Sequence, residues 1–415
     1  MINLETPKKF NQLISQAHQV AAEILRPNSR KYDTLEHEYP KELDMLAAAI
    51  DGLNAGGGLS GAGAGAVGTN GSSGTSKQNT DDASNRNGSN MASLVGLIEM
   101  CWGDVGLLLA MPRQGLGQAA IAAVANDEQL ERFGGKWAAM AITEPEAGSD
   151  SAAIRTTAVL DESDPAHPVY VLNGEKIFVT SGDRAELIVV WATLDRKQGR
   201  AAIKSFVVER DNPGLKLDRL EHKLGIRASD TANFVLQDCR VPPENLLGSP
   251  EIAPKGGFSG VMQTFDNTRP LVAGMAIGVA RACLEETRDH LESAGIVIDY
   301  NLPVHLQSAA AAEYIAMEAD WEAARLLTLQ AAWMADNKKP NSLQASMAKA
   351  KAGRMGTDIA LRCVALCGAT GFGEGELMEK WARDAKILDL FEGTQQIQLL
   401  IIARQLLGKT SAELK

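Results

Sequence analysis

Val169-Tyr170-Val171-Leu172-Asn173-Gly174-Glu175-Lys176-Ile177-Phe178-Val179-Thr180 is the stretch on which the fold turns. Two short strand-like runs, Val169–Leu172 and Lys176–Thr180, flank Asn173-Gly174, a pair that tolerates positive φ, so the spacing predicts a β-hairpin. Ile188–Ala192, Ser205–Val208 and Asn233–Leu236 continue the pattern, which marks a β region from Ala138 to about Leu247. On both sides the periodicity is helical. Before it, Phe10, Leu13, Ile14, Ala17 and Ala21 fall three and four apart, a second helical stretch covers Met91–Ala125 and a third covers Asp127–Arg132. After Pro250 come Val261–Ser293, Gln307–Ala335 and Leu343–Cys367, with a last helix after Gly393. The order predicts a mainly α protein with a central β domain. Its parts are an N-terminal helical domain (1–137), a middle antiparallel β-barrel-like domain (138–248) and a C-terminal four-helix bundle (249–415). A Gly-, Ala-, Ser- and Asn-rich insert, residues 54–90, interrupts the first part. It has too little apolar surface to offset its ordering entropy, so it reads as a linker, with a lid over a substrate tunnel as the alternative.

The 415 residues are too many for one simple core. A formal charge of −11 argues against a nucleic-acid partner, whose phosphates need a basic surface, but leaves room for a small anionic ligand in a local pocket. The cysteines Cys101, Cys239, Cys283, Cys363 and Cys367 are odd in number. Cys363 and Cys367 lie one helical turn apart, yet no second pair or nearby His completes a zinc set, so core thiols in a reducing cytosol are expected and no metal site. Met1–Leu25 lacks an uninterrupted apolar core, and runs such as Ile397–Ala403 are too short to span a bilayer. The expected location is cytoplasmic.

Four strings carry possible chemistry. Ala141-Ile142-Thr143-Glu144-Pro145-Glu146-Ala147-Gly148-Ser149-Asp150 runs from a strand end into a polar turn, which suits a planar heteroaromatic ligand or an ordinary β-turn. In Phe178-Val179-Thr180-Ser181-Gly182, an aromatic and a hydroxyl two residues apart share one strand face. Phe265-Asp266-Asn267-Thr268-Arg269-Pro270 places an acid and a base near a helix break, to hold a polar group or to pair with each other. In Leu390-Phe391-Glu392-Gly393-Thr394, a lone carboxylate sits between apolar residues and a glycine before an apolar helix. Poor solvation there raises a carboxylate pKa towards the range of a general base, whereas a helix-capping acid is the plainer alternative.

Taken together, these strings resemble the acyl-CoA dehydrogenase family. Ile142-Thr143-Glu144-Pro145 with Gly148-Ser149-Asp150 fits its first signature. Lys223-Leu224-Gly225-Ile226-Arg227-Ala228-Ser229-Asp230-Thr231 matches its K-x-G-x-R-x-S-D-T. Arg383-Asp384-Ala385-Lys386 leading into Phe391-Glu392-Gly393-Thr394-Gln395-Gln396-Ile397-Gln398 matches its C-terminal block.

The resemblance implies FAD bound between the β domain and the helical bundle, with a neighbouring subunit completing the site. It implies that Ile142, Thr143, Phe178, Val179, Thr180, Thr394 and Gln396 line the flavin, Phe178 standing where Trp is usual. Ser149, Asp266, Arg269 and Gly393 would meet the acyl-CoA. Glu392 would take the α-proton of the thioester while hydride passes to the flavin, giving a trans-2-enoyl-CoA. An electron-transfer flavoprotein would then accept the electrons, and an oxygen-reacting oxidase is the alternative.

Two departures stand out. Where the family carries Arg-x-x-Phe-Gly, this chain reads Ser293-Ala294-Gly295-Ile296-Val297-Ile298-Asp299-Tyr300-Asn301-Leu302-Pro303, without a basic residue. The family's Gln-x-x-Gly-Gly-x-Gly reads Ala365-Leu366-Cys367-Gly368-Ala369-Thr370-Gly371. Both would face a neighbour's FAD, so a mixed oligomer with a related chain and a homo-oligomer are both open.

Overall fold

The computed structural model describes residues 7–55, 87–113, 116–252, 259–410 and 413, with only the backbone described for 49–55 and 259–267. Most of the insert, residues 56–86, therefore lies outside the described residues. The N-terminal helices are α1 (Asn11–Val20), α2 (Arg26–Thr34), α3 (Glu42–Ala55), α4 (Ser89–Gly103), α5 (Val105–Ala110), α6 (Leu116–Val124) and α7 (Asp127–Phe133). A π-turn at Ala21–Leu25 joins α1 to α2, and the buried Phe10, Ala17, Ala21 and Leu25 keep one face inward through it. The stretch Met91–Ala125 is not one helix. Asp104, extended at φ −165, ends α4 and caps α5, its Oδ1 accepting from Leu107 N–H at 2.7 Å.

The middle of the chain is one curled seven-stranded sheet: β1 (Ala138–Ala141), β2 (Thr157–Asp161), β3 (Val169–Thr180), β4 (Leu187–Thr193), β5 (Ile203–Glu209), β6 (Leu215–Leu220) and β7 (Thr231–Val241). The order is β1-β4-β2-β3-β7-β6, with β5 on the other side of β4. The β2–β3, β3–β7, β4–β5 and β6–β7 pairs are antiparallel, whereas β1 and β2 each meet β4 in parallel.

Asn173-Gly174 does not turn a hairpin. Residues 169–180 form a single strand that passes through a register shift against β7 between Leu172 and Gly174. Glycine serves close approach there, since a Cβ on Gly174 would lie 2.4 Å from Thr156 Oγ1. The hairpin turn lies earlier, between Asp161 and Val169, where Asp161 and Asp164 accept backbone N–H groups.

The C-terminal helices are α8 (Ser259–Ser293), α9 (Ala309–Asp336), α10 (Ser342–Phe372), α11 (Met378–Leu388) and α12 (Gln395–Leu407). They share one hydrophobic core with the N-terminal helices, running from Phe10 through Leu94, Ile98, Ile277 and Met355 to Leu388. Gly274 and Gly278 let α8 press against α4, because a Cβ would fall 2.5 Å from Leu94 Cδ1 at the first and 2.4 Å from the Ile98 carbonyl at the second.

The sheet docks on this helical body through the loop 223–231. Ile226 N–H donates to Asp384 Oδ1 at 2.5 Å, Arg383 Nη1 donates to the Leu224 carbonyl at 3.0 Å, and Gly225 lies against the Arg383 backbone. Asp384 and Asp104 both meet the buried Lys380 Nζ, at 2.5 and 2.6 Å. Asp33 pairs with Arg383 from α2 at 2.6 Å. The polar signature around Lys223–Thr231 thus works as a joint between sheet and bundle.

Candidate active site

The turn between α11 and α12 holds Glu392. Two successive residues are left-handed there, Glu392 at φ 58 and Gly393 at φ 94. That conformation is unfavourable for a residue with a side chain and persists only where surrounding contacts hold it. Two buried side chains supply those contacts. Gln398 Nε2 donates to the carbonyls of Glu392 (3.1 Å) and Gly393 (3.2 Å), and Lys349 Nζ donates to the Gly393 carbonyl at 2.7 Å. A Cβ on Gly393 would lie 2.4 Å from Gln398 Nε2, so glycine is required for contact as well as for φ. Thr394 caps α12, its Oγ1 accepting from Ile397 N–H at 3.4 Å.

The Glu392 carboxylate turns towards α8, where Thr268 Oγ1 donates to Oε2 at 2.9 Å. Burial raises the carboxyl pKa above its ordinary value, while the Thr268 hydrogen bond and the charges of Arg269 and Lys349 partly oppose the rise. Arg269 and Thr268 are both buried. Lys349 is pulled down to about 8 by burial, against the charges of Asp389 and Glu392. A carboxylate whose pKa is raised, held by one hydroxyl and near the cations Arg269 and Lys349, is suited to accept a proton from a weak carbon acid.

A second group of residues lies on the sheet. Thr143 follows β1, and its carbonyl accepts from Ile177 N–H at 2.9 Å, which brings the 142–143 strand end beside β3. A register shift between Lys176 and Val179 leaves Phe178 left-handed at φ 57, its N–H bonded to Asn233 Oδ1 at 3.0 Å. Phe178 is 59% exposed although its backbone is fixed. Thr180 ends the strand, half-buried. The exposed Phe178 ring, on the strand whose Ile177 bonds Thr143, offers a face to a planar ring system. This group fits the ring portion of a flavin.

Other expected residues are placed differently. Ile142 and Val179 are buried, Val179 wholly within the β core, so it can offer a ligand only its backbone. Ser149 and Gln396 are exposed. The side chain of Asp266 lies outside the described residues. Glu144 of the first signature is buried and serves the fold: it accepts from Lys176 (2.7 Å), from Thr156 N–H (3.0 Å) and from Arg155 N–H (2.5 Å). Thr268, Lys349 and Gln398 were not singled out from sequence as parts of the site. Lys349 had a visible signal, because it falls on the same period as Ala345, Ala348, Ala352 and Gly353, the inward face of α10.

The phosphate end of an FAD finds less support. The segment 293–304 offers no Lys or Arg and exposes Val297 and Tyr300, and α10 breaks at Gly368 (φ 58). No helix among the described residues is long and apolar enough to cross a membrane.

Residues 139–239 match the family model "Acyl-CoA dehydrogenase, middle domain", and residues 255–407 match "Acyl-CoA dehydrogenase, C-terminal domain". The chain is 39% identical over 274 residues to the mitochondrial short-chain specific acyl-CoA dehydrogenase of Mus musculus, covering 66% of this chain and 64% of that one. It thus spans just under two thirds of that relative's length. It is 36% identical to the NADH acryloyl-CoA reductase of Anaerotignum propionicum, over 66% of this chain and 68% of that one. The fold superimposes on butyryl-CoA dehydrogenase from Megasphaera elsdenii with a TM-score of 0.79 at 28% identity, covering 98% of this chain and 100% of that one. The chain belongs to the acyl-CoA dehydrogenase family, a family of FAD-binding oxidoreductases that act on CH–CH bonds.

Proposed function

We propose that this chain catalyses the FAD-dependent α,β-dehydrogenation of an acyl-CoA thioester to a trans-2-enoyl-CoA, with Glu392 as the base. The observation that carries the reading is the Glu392 carboxylate, raised in pKa by burial and bound by Thr268 at 2.9 Å. Thr268 occupies Oε2, and Oε1 is the oxygen that receives the α-proton. Lys349 and Gln398 hold the left-handed turn, so the carboxylate meets the substrate without reorganising. FAD, when bound, supplies the hydride acceptor. Ile142, Thr143, Phe178 and Thr180 would hold its ring, with Thr394 and Gln396 from the helical side. Ser149, Asp266, Arg269 and Gly393 would meet the acyl-CoA. Replacing Glu392 with Gln tests this directly. Loss of flavin bleaching by acyl-CoA, with flavin content unchanged, supports the reading, whereas retained bleaching places the base elsewhere.

Electrons would pass to an electron-transfer flavoprotein, and slow reoxidation of the reduced enzyme in air separates this from an oxidase. A subunit arrangement with a related chain is favoured by one observation, the segment 293–304 without a cation to reach a neighbour's phosphates. A native mass of the protein purified alone decides it: a homo-oligomer with full FAD removes the need for a second chain. The five cysteines are free and buried, which supports a reducing compartment such as the cytoplasm. Fractionation with an organelle marker tests the location.

A further inference from the structure

Glu36, His37 and His222 meet where the segment after α2 touches the loop after β6. One donor atom from each lies within 4.8 Å of the others. Glu36 Oε2 and His222 Nδ1 are 2.9 Å apart, and Glu36 Oε1 accepts from Lys223 N–H at 2.8 Å. These two contacts alone describe an ordinary Glu–His pair.

His37 does not fit that description. Its backbone is left-handed at φ 71, an uncommon region that histidine enters more readily than most residues with a side chain. Both of its ring nitrogens are shielded from solvent and have no hydrogen-bond partner, although an imidazole carries a donor or acceptor at each. Leaving such a group unpaired is unfavourable. The ring stands edge-on to that of His222, with centroids 4.9 Å apart. A buried ring nitrogen without a partner, beside a second imidazole and a carboxylate, points to a ligand that would engage it.

We propose that Glu36, His37 and His222 bind a divalent transition cation of the zinc class. Two imidazoles and one carboxylate suit such an ion, while magnesium and calcium prefer oxygen donors. Tetrahedral coordination wants donor atoms ~3.3 Å apart at bond lengths of ~2.0–2.1 Å, so the Glu36–His222 pair, 2.9 Å apart, must open a little while the separations of up to 4.8 Å close. His222 can supply that movement, since its side chain is 81% exposed, and the same exposure leaves a fourth position open to water. The nearby cations are already engaged. Lys223 Nζ donates to the Ser229 carbonyl at 2.7 Å, and Arg184 Nε donates to Asp230 at 2.6 Å. Glu36 and His222 are separated by 186 residues in sequence, so the ion would brace the N-terminal helices against the sheet.

The test is calorimetric titration of the EDTA-stripped, FAD-containing protein with zinc chloride, alongside thermal melts. Wild type is expected to bind one Zn²⁺ per chain with Kd below roughly 10 µM and to melt higher with the ion present. His222→Ala and Glu36→Gln should each weaken binding at least about tenfold, and without metal their melting temperatures and flavin content should match wild type. His167→Ala, at an exposed histidine paired with Asp164, should bind as wild type does. The proposal is overturned if His222→Ala and Glu36→Gln bind zinc like wild type, or if no saturable binding occurs below roughly 100 µM. Because the readout is zinc binding, the outcome is independent of whether Glu392 is the base.

Discussion

Thr268→Val removes the hydroxyl that binds Glu392 and keeps nearly the same shape. The hydroxyl donates to Oε2 at 2.9 Å and favours the ionised carboxylate, so its loss raises an already raised pKa further. A hydrogen bond to a charged group is worth ~1.5–3 kcal/mol. Glu392 is only half-buried, so water recovers part of this, and a loss just below that range, ~1.4 kcal/mol, corresponds to about tenfold in ionisation. A general base acts when deprotonated. The rate of flavin bleaching by acyl-CoA should therefore fall about tenfold on the acidic limb of the pH profile. At high pH both proteins are ionised and the variant should match wild type, or exceed it slightly through its greater basicity. Stopped-flow bleaching from acid to alkaline pH reads both regions. An equal loss at every pH would make Thr268 a packing residue, and an unchanged acidic limb would refute the assignment of Glu392 as the titrating base.

Gly393→Ala should cost ~1–3 kcal/mol in urea unfolding, since φ is 94 and the new Cβ meets Gln398, and bleaching should slow as Glu392 loses its aim. Lys380→Met leaves Asp104 and Asp384 buried without their cation, and an unfolding loss of ~3–5 kcal/mol is expected. Lys349 has its pKa lowered from 10.5 to about 8, so between these values the unfolded chain binds more protons than the folded one. Wild-type stability should therefore rise relative to Lys349→Met as pH climbs through that window, measured by denaturant midpoints at matched pH.

Much of the fold was readable because it rests on local chemistry. The long helices after Pro250 and the start of α12 follow from apolar spacing and from the cap at Thr394. Glu392 stood out for the same reason, as a lone acid between apolar residues and a glycine. The misreadings were of residues that serve two purposes. Gly174 resembles a turn residue, but here it makes room for Thr156 beside a continuous strand. Asp104 lies inside the stretch Met91–Ala125 read as helical, yet it ends one helix, caps the next and pairs with Lys380 from much later in the chain. Thr268 and Lys349 act on Glu392 only after α8, α10 and the α11–α12 turn have come together. The Glu36–His222 meeting was hidden in the same way, since neither residue has a short-range partner to reveal it.

The shared helical core also sets an order of events during synthesis. Leu94 and Ile98 on α4 leave the ribosome before the sheet, but the α8 surface that covers them begins beyond residue 259. The sheet pairs almost wholly with itself and can form on the way, whereas the apolar side of α4 must wait uncovered while it does. A nascent chain whose residues up to 248 have emerged from the ribosome should therefore hold a folded sheet and an adhesive N-terminal segment. That is the kind of intermediate that chaperones bind and that aggregates when they are scarce.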